Sequence, residues 1–198
     1  RVEEAVCTFR VDRRQPELWD PLTGKIRNAD AFTQTSDGRI AVPLEFAPRG
    51  SIFVVFRKPI AATQNGAADR NFPTLVPLME IKGPWTVAFD TKWGGPGTVE
   101  FAELVVWTTR PEDGIKYYSG KATYRKSFDV PESAVAHGAH LFLDLGELNY
   151  VAEVRLNGKD LGVLWTKPFR VEITDALKPG TNQLEIDIIN LWPNRLIG

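Results

Sequence analysis

Apolar and polar residues alternate with a period of two along most of this chain. Ala5, Cys7, Phe9 and Val11 interleave with Val6, Thr8 and Arg10, and Leu141, Leu143 and Leu145 interleave with Phe142 and Asp144. That period suits two-faced β-strands. The run Ile52-Phe53-Val54-Val55-Phe56 is apolar throughout and short, which suits a buried strand better than a helix. Fourteen prolines and sixteen glycines break the pattern at short intervals, so the strands are short and the turns frequent. Helical pattern is confined to Glu132–Ala136 and Thr174–Leu177. At the latter, Thr174 and Asp175 can cap a turn that Pro179-Gly180 stops.

The elements fall into two groups. Residues 1–59 predict a small antiparallel β-domain, read as a meander. Its turns are Asp20-Pro21-Leu22-Thr23-Gly24, Ser36-Asp37-Gly38 and Pro48-Arg49-Gly50. Residues 60–78 include a small, polar stretch without periodicity and predict a linker or loop. Residues 79–198 predict about eight strands: Trp85–Phe89, Phe101–Thr108, Lys121–Val130, Leu141–Leu145, Val151–Leu156, Leu161–Trp165, Phe169–Ile173 and Gln183–Asn190. Asn157-Gly158 is the strongest hairpin signal. The expected class is all-β, a small antiparallel domain followed by a jelly-roll β-sandwich.

Composition narrows the function by exclusion. A net charge of -1 leaves no basic field for nucleic acid. No apolar run reaches the length of a membrane span. Cys7 is the single cysteine, so no intramolecular disulfide forms, and it reads as a small core residue. Gly94-Gly95-Pro96-Gly97 lacks phosphate-loop spacing and reads as a turn. His137 and His140, the two histidines, lack the further ligands that a zinc site needs. No Ser or Cys has a clear base partner. Most acids alternate with apolar residues or flank turns, and Asp144 and Glu147 at a strand end are the hardest to dismiss as catalytic. No catalytic residue and no metal ligand is assigned. No cofactor is expected, with calcium held by scattered loop oxygens as the alternative. Aromatics are the remaining signal. Tyr118, Tyr150, Trp165 and Trp192, with Asn194 and Arg195, fall near strand ends and are the candidate sugar contacts. Rings pack on the flat faces of sugars while polar side chains meet the hydroxyls.

Several segments resemble known enzymes. Tyr118-Ser119-Gly120-Lys121-Ala122-Thr123-Tyr124-Arg125-Lys126-Ser127-Phe128, Asp144-Leu145-Gly146, Val151-Ala152-Glu153-Val154-Arg155-Leu156-Asn157-Gly158 and Leu161-Gly162-Val163-Leu164-Trp165 resemble the galactose-binding-like domain of large glycoside hydrolases. The stretch from Pro168 to Asn182 resembles the closing pattern of the sugar-binding domain of family 2 enzymes. Asn190-Leu191-Trp192-Pro193-Asn194-Arg195-Leu196-Ile197-Gly198 and Pro16-Glu17-Leu18-Trp19-Asp20-Pro21-Leu22-Thr23-Gly24 resemble accessory regions of the α-L-rhamnosidases of glycoside hydrolase family 106. The resemblance implies a non-catalytic, carbohydrate-binding segment of a larger sugar-processing enzyme, exported to the periplasm or cell surface. Its partners would be carbohydrate and the catalytic domain of the same parent chain. The alternative is a structural sandwich that binds no sugar. The absence of an initiating Met and of a leader is read as the mark of a fragment.

Overall fold

The computed structural model describes residues 1–135 and 138–198, which form two compact units, Arg1–Val76 and Pro77–Gly198. All strand pairs in both are antiparallel.

The first unit contains β1 (Glu3–Phe9), β2 (Arg14–Trp19), β3 (Ile26–Asn28), β4 (Thr33–Gln34), β5 (Ile40–Phe46) and β6 (Phe53–Pro59). They form two three-stranded sheets, β1-β5-β4 and β3-β2-β6. The expected meander is therefore corrected. The neighbouring pairs β2–β3 and β4–β5 do form, but β1 pairs with β5 and β2 with β6 across long intervals. Those pairings allow Leu18, Ile40, Val42 and Leu44 to share one core with Phe9, Val54 and Phe56, burial that a meander of such short strands would not provide. Cys7 packs against this core, half-buried.

Residues 60–76 form no strand but are fastened to this unit. Gly66 N donates to Phe32 O at 2.9 Å, and Ala68 N donates to Asp30 O at 2.9 Å. The buried Asn71 side chain accepts from Ala31 N at 2.8 Å and donates to the carbonyls of Ala31 and Pro43 at 2.8 and 2.9 Å. The segment gains its place through backbone groups rather than side-chain periodicity.

The second unit contains β7 (Trp85–Phe89), β8 (Thr98–Phe101), α1 (Asp113–Lys116), β9 (Lys121–Val130), β10 (Phe142–Asp144), β11 (Val151–Leu156), β12 (Lys159–Leu164), β13 (Arg170–Glu172), β14 (Gly180–Ile189) and α2 (Pro193–Ile197). Its main sheet runs β12-β11-β14-β9-β7-β8, and β10-β13 forms a second, two-stranded layer. Inward positions obey the period of two: Ala122 and Tyr124 on β9, Ala152, Val154 and Leu156 on β11, and Leu184 and Ile186 on β14 are buried. Leu143 and Val171 of the small layer pack against them, giving an all-β sandwich. Asn157 and Gly158 adopt φ of 53° and 80° and join β11 to β12, the left-handed pair that a two-residue hairpin requires.

The strand expected over Phe101–Thr108 ends at Phe101. The chain leaves the sheet edge so that Trp107 can turn inward, where its Nε1 donates to Tyr124 Oη at 2.6 Å.

Candidate functional site

At one end of the second unit, Trp93, Ser119, Gly120, Asn190, Leu191 and Trp192 line a shallow open cleft of about 300 Å³. Three strand ends converge there. The first is the exit of β7. Asp90 Oδ1 accepts from Lys92 N at 2.9 Å and opens a single helical turn over Thr91–Trp93. Gly94 closes that turn with φ 78°, a conformation costly for residues with a Cβ. The turn throws Trp93 outward, 62% exposed.

The second and third are the start of β9 and the exit of β14, which are locked together. Asn190 Oδ1 accepts from Gly120 N at 2.8 Å, and Asn190 Nδ2 donates to Tyr118 O at 2.9 Å. Asn190 N also donates to Gly120 O at 3.3 Å. With its amide consumed in this way, Asn190 sets the floor of the cleft. The chain then passes through Leu191 and Trp192 into α2, where Pro193 takes a first-turn position that needs no N–H partner. Trp192 is left 70% exposed. Arg195 fastens α2 to both walls: its backbone N donates to Ser119 Oγ at 3.0 Å, and Nη1 donates to Trp93 O at 2.7 Å. The result is two indole rings held beside a rim of hydroxyl, carbonyl and guanidinium groups.

The sequence-derived candidates divide. Trp192 lines the cleft and Arg195 buttresses it. Asn194 lies beside them in α2, half-buried, and does not line the cleft. Trp165 and Tyr150 are exposed at neighbouring strand ends, outside the cleft. Tyr118 requires correction. It is 1% exposed, with its ring edge-on to Phe89 at 5.0 Å and Trp107 at 5.7 Å, so neither face is open to a sugar. Its hydroxyl accepts from Asp90 N at 3.1 Å and donates to Lys121 O at 2.9 Å, and burial raises its pKa. Tyr118 thus ties the Trp93 turn to β9 and positions the cleft wall from behind.

Trp93 was not identified from the sequence. The available signal was Asp90 and Gly94 bracketing three residues, the cap and stop of one helical turn that exposes whatever it carries.

Asp144 and Glu147, the acids singled out in the sequence, are both engaged in ion pairs. Asp144 Oδ2 receives Arg170 Nη2 at 2.6 Å and Nε at 3.1 Å. Burial pushes Asp144 up, but the Gly146 N–H and Arg170 outweigh it and hold the carboxyl below its ordinary value. A general acid needs the opposite shift. Glu147 is engaged separately by Lys167 at 2.8 Å. His140 Nδ1 lies 2.6 Å from Glu172 Oε1, and His137 lies outside the described residues. Among the described residues, no three His, Cys, Asp or Glu side chains converge as metal ligands, and no helix is long and apolar enough to cross a membrane.

Residues 108–195 match the family described as glycosyl hydrolase 2 galactose-binding domain-like. The second unit carries a galactose-binding-like domain. This chain is 45% identical over 122 residues, 62% of its length, to a Formosa agariphila protein whose name provisionally gives it as a beta-glucuronidase. The whole chain resembles a rhamnosidase from Novosphingobium sp. PP1Y, with a TM-score of 0.84 and 37% identity over 99% of its length. The match includes the small first unit as well as the galactose-binding-like domain. The chain spans 10% of the Formosa protein and 18% of the rhamnosidase chain.

Proposed function

We propose that this chain is a non-catalytic accessory segment of a larger, exported glycoside hydrolase of the α-L-rhamnosidase type, and that its galactose-binding-like domain contacts carbohydrate through the Trp93–Trp192 cleft. The observation that carries the reading is the pair of exposed indoles held over polar groups by Arg195 and Asn190. Aromatic faces outside a core, rimmed by hydrogen-bonding groups, suit pyranose rings, which carry apolar faces and polar edges. The similarity to a rhamnosidase over 99% of the chain supports the choice of parent enzyme.

Titration of the 198-residue chain with L-rhamnose, D-galacturonate and D-glucuronate, followed by the tryptophan indole N–H signals, tests this directly. The Trp93 and Trp192 signals should shift saturably, and Trp192→Ala should weaken binding about 10-fold, equivalent to about 1.4 kcal/mol. No saturable shift at millimolar sugar would overturn the binding role. It would favour the second reading, a structural sandwich, for which the exposed strip Leu104, Val105 and Val106 is the supporting observation.

A further inference from the structure

The strand order of the main sheet arranges more than the cleft. β11 and β12 form a hairpin, β11 and β9 each pair antiparallel with β14, and β7 pairs antiparallel with β9. Consequently the end of β12, the start of β11, the end of β14, the start of β9 and the end of β7 all emerge along one rim of the sheet. Each of four exposed aromatics follows or precedes one of these ends. Trp165 follows β12, Tyr150 precedes β11, Trp192 follows β14 and Trp93 follows β7, with exposures of 62%, 48%, 70% and 62%.

Backbone bonds continue the rim between them. Tyr150 N donates to Ile189 O at 3.2 Å, and Asn190 N donates to Gly120 O. From β12 to β7 is four strand spacings, about 19 Å at the usual separation of hydrogen-bonded strands. The opposite rim runs through Leu156–Lys159, Thr181–Gln183, Asp129–Val130 and Trp85, and among the described residues it presents no exposed aromatic, since Trp85 is 4% exposed.

We infer that this rim binds an extended acidic oligosaccharide, several sugar residues laid across Trp165, Tyr150, Trp192 and Trp93, rather than one ring in the cleft. The inference rests on the carbohydrate-binding reading and specifies its ligand. One sugar ring covers one or two aromatics, so a row about 19 Å long is matched by a chain. The charge at the Trp93 end indicates acidity. Among the described residues neither Arg195 nor Lys92 has a carboxylate partner; Asp90, in the same turn, accepts from Lys92 N and keeps its charge, so two cations and one anion leave a net positive charge at this end. A positive balance, with the Arg195 guanidinium bonded at Trp93 O, suits the carboxylates of uronic acids.

The test titrates the chain with rhamnogalacturonan oligosaccharides of two, four and eight residues and with their carboxyl-reduced, neutral counterparts. Affinity should rise at least 10-fold from the disaccharide to the octasaccharide. Trp165→Ala, which alters an exposed side chain, should weaken the octasaccharide about 5-fold and leave the disaccharide unchanged. Carboxyl reduction should weaken all lengths. In the NMR spectrum the disaccharide should move the Trp93 and Trp192 indole signals, and the octasaccharide those of Trp165 as well. Equal affinity for all lengths, or a Trp165 signal that never moves, would overturn the extended site while leaving the cleft standing. Equal affinity for the reduced sugars would overturn its acidity. No binding of any sugar would remove the underlying reading too.

Discussion

In the first unit Glu17 lies on β2, the middle of three strands. In the second Asp187 lies on β14, with two strands on one side and three on the other. Both carboxylates are nearly sealed from solvent, 1% and 2% exposed. Their partners differ in arrangement. Glu17 is served from one flank, by Arg57 and Lys58 of β6, with Oε2 also receiving Trp19 Nε1 at 3.2 Å. The other neighbour, β3, places Asn28 opposite it. Asp187 is served from both flanks, by Lys121 and Thr123 of β9 at 3.0 and 2.6 Å and by Arg155 of β11 at 3.2 Å. Arg155 then continues to Glu185, which binds Arg125. Both acids have a strand on either side, so the difference lies in which side chains the neighbours bring: β9 and β11 both offer donors to Asp187, whereas β6 alone offers charged ones to Glu17. The wider sheet gives the second unit its larger core and its long aromatic rim.

The largest expected effects probe the two cores. Phe101 is fully buried between Phe89 and Tyr124, with Arg110 stacked 4.6 Å from its ring centre. Phe101→Ala should cost about 4 kcal/mol, and Leu18→Ala in the first unit about 3 kcal/mol. Hydrogen exchange separates the two. Loss of protection in β9 and β14 should follow Phe101→Ala, and loss in β2 and β5 should follow Leu18→Ala. If Leu18→Ala cost under about 1 kcal/mol, the first unit would not depend on the core assigned to it.

Next in size are the carboxylates. Burial pushes both upward, but for Glu17 the bonds from Trp19, Lys58 and Arg57, and for Asp187 those from Thr123, Lys121 and Arg155, outweigh it and leave each pKa lowered. The stability these groups supply is therefore complete above the unfolded-state values near about pH 4, and is lost as pH falls through the lower folded values. Asp187→Asn should cost about 1–2 kcal/mol at pH 7, leaving Lys121 and Arg155 to reach solvent, and should flatten the acid limb of the stability curve. Glu17→Gln should flatten it as well. An acid limb unchanged in both variants would show that neither network carries the pH dependence.

What could be read from the sequence follows this contrast between local and long-range signals. The β11–β12 hairpin was legible because Asn157-Gly158 fixes its own turn; β9 was legible over its full length, and β14 from Gln183 onward, where Leu184 and Ile186 alternate with Glu185 and Asp187. The β1–β5 and β2–β6 pairings were not, since nothing local in β1 specifies a partner thirty residues away. At the site, Trp192 was legible from the Trp-Pro break. Tyr118 was misplaced because two adjacent tyrosines carry no periodicity to say which faces inward, and the structure buries Tyr118 while Tyr117 is half-exposed. α1 and α2 were missed because single turns of four and five residues show no helical repeat.

The smallest expected effect sharpens the comparison at the aromatic rim. Lys167 and Glu147 join the loops that carry Trp165 and Tyr150, with Nζ 2.8 Å from both carboxylate oxygens, yet their side chains are 48% and 87% exposed. Water competes for both groups, and ordering two flexible side chains costs entropy comparable to the Coulomb gain. Lys167→Ala should therefore change stability by less than about 0.5 kcal/mol, in contrast to the loss at Asp187, whose buried carboxylate is held by Lys121, Thr123 and Arg155. Denaturant titration measures the difference, and a second titration in 1 M salt separates charge from packing, because an exposed pair is screened and apolar burial is not. A loss above about 1 kcal/mol that persists in high salt would mean that the Lys167 stem, rather than its charge, packs the loop. The Trp165 end of the rim would then be as firmly built as the Trp93 end, where Arg195 and Asn190 hold the backbone directly.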